Sequence, residues 1–179
     1  MYGMVNKGLQ AYVIAAYGEE RWAALRLAGG AEPSAFVSMK PYADSVTYGL
    51  VGAVPEVLGV SAGAFLLELG RFWIGFVRER GYEDLLYLTG GDLLSALEGM
   101  DGLHARIQAT FPELVPPSLR LERSAPPRLH YRSERPGLTP FVEGLVLGLA
   151  DFYEESCSVR VLPEASEGPG HVVFELEPR

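Results

Sequence analysis

Two sets of side chains in this sequence have types and spacings that could do chemistry. The first is a lone imidazole. Leu93, Leu97, Met100, His104, Ile107 and Phe111 recur at helical offsets, so His104 interrupts an otherwise apolar seam. A buried imidazole must find a partner or bear a desolvation cost. It is either a core histidine bonded to a backbone carbonyl or a metal ligand, and spacing alone favours the former. The second set is Tyr131, Ser133 and Arg135, at alternate positions of an expected strand, which presents a phenol, a hydroxyl and a guanidinium on one face. An arginine fork binds one carboxylate at two points while hydroxyls serve further oxygens. The fitting ligand therefore carries two nearby carboxylates, or one with water. An ordinary polar edge-strand face explains the triplet equally well when it is considered by itself. The same alternation turns His130 and Arg132 to the opposite face, outside this site.

One ligand satisfies both sets: a haem needs an imidazole on iron, apolar walls for the porphyrin and donors for its two propionates. The motifs that carry a family resemblance are Met1-Tyr2-Gly3-Met4-Val5-Asn6-Lys7 at the start and Asp101-Gly102-Leu103-His104 in the middle. Phe111-Pro112 with Pro116-Pro117-Ser118 and Tyr131-x-Ser133-x-Arg135 with Gly137-Leu138 complete the set. In these the chain resembles the H-NOX family, the haem nitric oxide/oxygen binding domains related to the haem domain of soluble guanylate cyclase. The resemblance spans nearly the whole sequence. It implies haem b as cofactor, His104 as the proximal iron ligand, and Tyr131, Ser133 and Arg135 as the propionate-binding triplet. Met100 and Leu103, beside His104, are included among the cofactor-binding positions. Pro117 falls thirteen residues after His104, where the family places a proline that presses on the haem. Its fixed φ and bulky ring suit a wedge, or a plain helix-to-strand connector.

Gas choice depends on the other side of the iron, because bound dioxygen is helped by a hydrogen-bond donor and nitric oxide needs none. Where dioxygen-binding members carry a distal tyrosine, counting from Arg135 places Pro140, which has no donor. Val5, Leu9, Trp73, Ile74 and Leu145 fill the remaining distal positions, and of these only Trp73 offers an N–H. The resemblance thus implies a nitric oxide sensor that excludes dioxygen, with carbon monoxide as a further candidate ligand. Gas binding opposite His104 would break the iron–histidine bond and shift one lobe against the other. Gly70, inside a long helix, is either a hinge or a point of close packing. The chain length leaves no room for an output domain, so signalling is expected in trans. The family's partners are a histidine kinase, a cyclic-dinucleotide enzyme or a chemotaxis protein.

The elements that must position these residues follow from periodicity. Val5, Leu9, Tyr12, Val13 and Ala16, then Trp22, Leu25 and Leu27, predict a helical hairpin bent at Gly18 and ended by Gly29-Gly30. After a loop with Pro33 and Pro41, Asp44 caps a helix that Pro55 ends, and Ser61 caps a central helix through Val77. A short helix at 82–88 precedes Gly90-Gly91, and Asp92 opens the helix that carries His104. Beyond Pro116-Pro117 the period changes to two. Leu119 and Leu121, then Leu129, Tyr131 and Ser133, read as two strands, and Val159, Val161, Val172 and Phe174 as two more. Thr139 as N-cap and Pro140 open the helix between the two pairs. The fold class is α+β: one domain over 1–179, with a helical lobe to about residue 115, a small antiparallel sheet of about four strands with one helix from 116, and the haem between the lobes.

Composition narrows the alternatives. With 179 residues, 48% of them apolar, the chain is long enough to build a core. Fifteen basic and 23 acidic residues give a net charge of −8, the wrong sign for nucleic acid or an anionic membrane surface. The apolar stretch from Val57 to Leu67 is far short of the roughly 18 residues of a membrane span. Gln10, two tyrosines and the run into Glu19-Glu20-Arg21 argue against a cleaved signal. A single cysteine, Cys157, and dispersed His104, His130 and His171 exclude a disulfide framework and structural zinc, and suit the cytoplasm. Two other functions compete with the sensor. One is a haem-free small-molecule-binding or protein-interaction module with Arg135 holding an apolar acid. The other is an enzyme with Cys157 as nucleophile and His104 or His171 as base, which Glu154 and Glu155 argue against by disfavouring the thiolate. No enzyme activity is expected. His171, after Gly168-Pro169-Gly170, reads as a turn residue.

Overall fold

The computed structural model describes residues 1–32 and 35–178; Pro33, with Ser34 and Arg179, lies outside the described residues. The chain forms two compact units, Met1–Leu69 and Gly70–Arg179. The sequence places a junction near residue 116, whereas this division falls within a helix far upstream of it.

The first unit is helical. α1 (Gly3–Tyr17) and α2 (Glu19–Ala28) are joined at Gly18, whose φ of 89° lies in the region that favours glycine. Leu9, Val13, Leu25, Leu50 and Val54 are fully buried in its core. Gly29 and Gly49 let α2 and α3 (Asp44–Leu58) meet backbone to backbone, since a Cβ on Gly49 would strike the Gly29 carbonyl. Asp44 lies in the first turn of α3 rather than at its cap. Pro55 does not end α3 either. Sitting in the last turn it forfeits one backbone bond, and the helix runs on to Leu58 before Gly59 turns it off with a φ of 73°. α4 spans Ala62–Val77. As expected, Ser61 caps it, accepting from the Ala64 N–H at 3.2 Å.

The second unit starts at Gly70 in α4 and continues through a wide helical turn at Arg78–Tyr82, α5 (Glu83–Tyr87) and α6 (Leu93–Thr110). Four antiparallel strands follow in the order β1-β2-β4-β3: β1 (Ser118–Glu122), β2 (Arg128–Arg132), β3 (Cys157–Val161) and β4 (His171–Pro178). α7 (Thr139–Phe152) connects β2 to β3. Thr139 is its first residue and makes no cap bond; Leu138 occupies the cap position. The register puts Leu119, Leu121, Leu129, Tyr131, Phe174 and Leu176 on one face. α6 packs along β1 and α7 along β3. The other face carries Arg120, Glu122, Arg128, His130, Arg132, Arg160 and Glu175. Helices segregated against an antiparallel sheet make this an α+β fold, as the periodicity predicts.

Within this unit the end of α4 lies against α7 with almost no side chain between them. A Cβ on Gly70 would overlap the Phe141 carbonyl oxygen, and one on Gly148 would come within 2.7 Å of the Arg71 carbonyl oxygen. Arg71 closes the contact by donating to both carboxylate oxygens of Asp151, at 2.6 and 3.0 Å. Gly70 therefore has a close-packing role.

Candidate functional site

α6 presents His104, and three carboxylates fix that helix. Asp92 caps it, accepting from the Ser95 N–H at 2.7 Å, and Glu155 accepts from the Leu93 N–H at 3.1 Å. One turn before His104, Asp101 accepts from the Leu119 N–H at 2.6 Å and the Ser118 hydroxyl at 3.0 Å, so the turn that carries His104 is tied directly to β1. His104 itself is half-buried, and its Nδ1 is buried without a hydrogen-bond partner. Burial holds the imidazole below its ordinary pKa, against the weaker opposing effects of a ring hydrogen bond to the Pro117 carbonyl and of the Asp101 carboxylate. A core histidine would normally have its buried ring nitrogen bonded. A neutral ring with an unpaired buried nitrogen fits the donor that haem iron requires, since a neutral imidazole keeps one lone pair.

Of the triplet, only Tyr131 lies in a strand. β2 ends at Arg132, so Ser133 and Arg135 sit in the following bend and the strand-face argument does not extend to them. Backbone bonds gather them instead. The Ser133 N–H donates to the Gly170 carbonyl at 2.9 Å, and the Arg135 N–H to the Ser133 hydroxyl oxygen at 3.1 Å. The Arg135 guanidinium donates to the Val115 carbonyl at 2.6 Å, reaching back to the proline-rich link before β1. Tyr131 is buried. Burial raises its phenol pKa, while a hydrogen bond with the Ser133 side chain and the Arg135 charge pull it back, so the three groups share one environment. An open hollow of about 380 Å³ is lined by Val115, Ser118, Ser133, Arg135 and Gly170 among others. Neither His104 nor Tyr131 lines it. Serine hydroxyls and a guanidinium along its wall suit carboxylate oxygens.

Comparison with known proteins decides what this geometry belongs to. A family model described as haem-NO-binding (HNOB) matches residues 2–161. The chain belongs to the haem-NO-binding, or H-NOX, family. The family comprises the haem-binding, gas-sensing domains of soluble guanylate cyclases and their relatives. Soluble guanylate cyclase gcy-31 of Caenorhabditis elegans is 27% identical over 98% of this chain, and gcy-32 of the same organism is 32% identical over 84%. The rat guanylate cyclase soluble subunit beta-2 is 34% identical over 62% of the chain. The chain spans about a quarter of the length of such relatives: 26% of gcy-31 and 23% of gcy-32. Among solved structures, an H-NOX protein from S. oneidensis in the Fe(II)NO ligation state shares the fold with a TM-score of 0.86, at 22% identity, covering 100% of this chain and 99% of that one. The unliganded Fe(II) H-NOX protein from K. algicida does so at 0.84 and 20%, covering 100% and 97%.

The other candidate positions are distributed as follows. Met100 is half-buried and Leu103 buried on α6, and Pro117 is half-buried in the link to β1. In the first unit, Leu9 is fully buried on α1 and Val5 half-buried one turn earlier. In the second, Trp73 lies 5.4 Å from Phe76 and 6.1 Å from Phe141, ring centre to ring centre. Ile74 is buried and Leu145 half-buried, and Pro140 lies in the first turn of α7. Sequence reasoning gave Asp101 no role, although a carboxylate three residues before a seam histidine is a readable signal. The Val115 carbonyl left none, being backbone. His171 is not a turn residue but the buried first residue of β4. Cys157 is half-buried, and burial, then Glu155 and Glu177, raises its thiol pKa, so it is not an activated nucleophile. Among the described residues, no single helix is long and apolar enough to cross a membrane.

Proposed function

We propose that this chain is a cytoplasmic H-NOX domain over 1–179 that binds haem b, senses nitric oxide at ferrous iron with exclusion of dioxygen, and signals in trans. The partner is a histidine kinase, a cyclic-dinucleotide enzyme or a chemotaxis protein, and the chain is a sensor rather than a catalyst. The observation that carries this reading is the buried, unpartnered Nδ1 of a His104 kept neutral by its surroundings. When bound, a ferrous haem would supply an iron atom able to take a diatomic gas. His104 would provide the imidazole that holds it, with Met100, Leu103 and Pro117 as the neighbouring cofactor-binding positions. Tyr131, Ser133 and Arg135 hold the propionates through charge-assisted and neutral hydrogen bonds. Of the distal positions that the family resemblance names, Val5, Leu9, Ile74, Leu145 and Pro140 carry no side-chain donor and Trp73 carries an indole N–H; with no donor aimed at the gas, dioxygen would lack the stabilisation it needs. Carbon monoxide also binds without a donor and is a second gas ligand of this site.

Any change in how His104 is held acts on α6. Asp101 couples that helix to β1, and Glu155 caps its start from the segment after α7. A gas that favours one of two α6 positions thereby biases the unit, in proportion to its differential affinity for them.

His104→Gly tests the assignment. The variant should lose its haem on gel filtration and regain it when free imidazole is supplied; unchanged iron coordination in the variant contradicts the ligand role. The hollow at Ser133 and Arg135, which His104 does not line, favours one other reading, a haem-free site for an apolar acid. A protein with no Soret band after haem supplementation would support that reading instead.

A further inference from the structure

On the sheet face that carries the charged residues, two histidines form a hydrogen-bonded chain that the gas-sensing reading does not use. The His130 and His171 rings are nearly parallel, 5.3 Å apart between centres, and meet edge to edge with His130 Nδ1 3.1 Å from His171 Nε2. Beyond them, His130 Nε2 lies 3.2 Å from Glu122 Oε2, and the backbone N–H of Glu167 donates to His171 Nδ1 at 2.9 Å. A backbone amide can only donate, and this fixes every proton in the chain. His171 Nδ1 must be a bare acceptor, so its neutral ring carries the proton on Nε2 and donates it to His130 Nδ1. His130 in turn carries its proton on Nε2 and donates it to Glu122. The order is Glu167 N–H to His171, His171 to His130, and His130 to the Glu122 carboxylate.

All four lone pairs and protons of the two rings are committed, so the pair has no vacant place for another proton. A proton added at His171 Nδ1 expels the Glu167 amide. One added at His130 Nδ1 sets two N–H groups against each other, unless His171 passes its own proton to Nδ1, which again expels Glu167. Every route breaks a link. Burial already disfavours a charge on His171, with Arg132 adding to the effect, Glu167 opposing it, and His130 and Arg120 adding less. The charged groups facing the pair are Arg120 and Glu122 from β1, Arg132 from β2, and Glu167 from the β3–β4 connection, Arg132 being ion-paired to Glu167.

The far end of this chain is the wall of the hollow. Pro169 and Gly170 line it, Gly170 precedes His171, and the Gly170 carbonyl receives the Ser133 N–H at 2.9 Å. We propose that His130 and His171 are positioning residues forming a proton-sensitive latch: neutral, they hold the Glu167–Gly170 turn and through it Ser133; on taking up a proton, they release both. The consequence for a propionate at Ser133 rests on the haem reading, whereas the latch does not, and an absent Soret band would leave it standing.

The test is nuclear magnetic resonance on the full ¹⁵N-labelled chain, titrated from about pH 8 to about pH 5, a range that spans imidazole titration. At the upper end both rings should show the Nε2–H tautomer. On acidification the Glu167 and Ser133 amide signals should move together with the His171 ring, and the Glu167 amide should lose its protection from exchange. Two variants keep the required acceptor and remove a titrating ring, because asparagine Oδ1 stands where Nδ1 stood. His171→Asn should abolish the coupled shift at Ser133, whereas His130→Asn, which leaves the His171 ring to titrate, should keep that shift and move its midpoint. An Nδ1–H tautomer at His171 in the unmodified chain would overturn the latch, whatever the variants do. So would a Ser133 response that persists unchanged in folded His171→Asn.

Discussion

His104 and Arg135 do different work at the residue scale. His104 is an imidazole that burial holds below its ordinary pKa, while Arg135 is a charge whose guanidinium already holds the Val115 carbonyl. Removing the Arg135 head group should weaken haem retention by one charge-assisted hydrogen bond, about 1.5–3 kcal/mol, or roughly a ten- to hundred-fold faster loss. Transfer of haem from Arg135→Ala to an apoglobin acceptor measures this directly, and a loss rate equal to that of the unaltered protein excludes the propionate role. Two histidines also set a pH dependence in the haem-free chain. His104 and His171 both sit below the ordinary 6.5 when folded, mainly through burial, so the unfolded chain binds more protons as pH falls. Their stabilising contribution is complete above 6.5 and is lost as pH drops through the depressed folded values. Urea midpoints should therefore decline steadily below that pH, and a midpoint that rises on acidification would contradict the burial of these rings.

At the scale of elements, the contact between the end of α4 and α7 separates two roles for Gly70. If the position served only as a flexible hinge, alanine there would stabilise the helix by about 1 kcal/mol. Overlap with the Phe141 carbonyl instead costs on the order of 1–3 kcal/mol as overpacking, so the net sign should be destabilising. The Tm of Gly70→Ala reads that sign. Elements were legible where pattern and backbone agree. The α6 seam gave both the helix and its odd histidine, and the alternation from Leu119 to Tyr131 gave two strands in correct order. The rest failed for physical reasons. Alternation orients side chains only while the strand lasts, and β2 stops at Arg132, so Ser133 and Arg135 reach their places through bonds to Gly170 and Val115 that no side-chain pattern encodes. Pro55 reads as a stop because proline cannot donate, yet in a last turn that loss is a single bond. His171 looked like part of a turn because Gly-Pro-Gly precedes it, and only the pairing with His130 shows why it is buried.

The whole molecule carries a haem-NO-binding fold whose matched relatives are about four times its length. On the proposed reading the chain supplies His104 on α6 as the imidazole, a proline link that lends its backbone to Arg135, and a gas side on which the Trp73 indole is the one polar group; a ferrous site so made should accept nitric oxide and refuse dioxygen. The most direct test is the visible spectrum of the haem-supplemented protein, reduced under anaerobic conditions, titrated with nitric oxide, and separately exposed to air. A ferrous Soret band that shifts with nitric oxide and shows no oxy complex in air is the expected result. A stable oxy complex, or no Soret band at all, would contradict it.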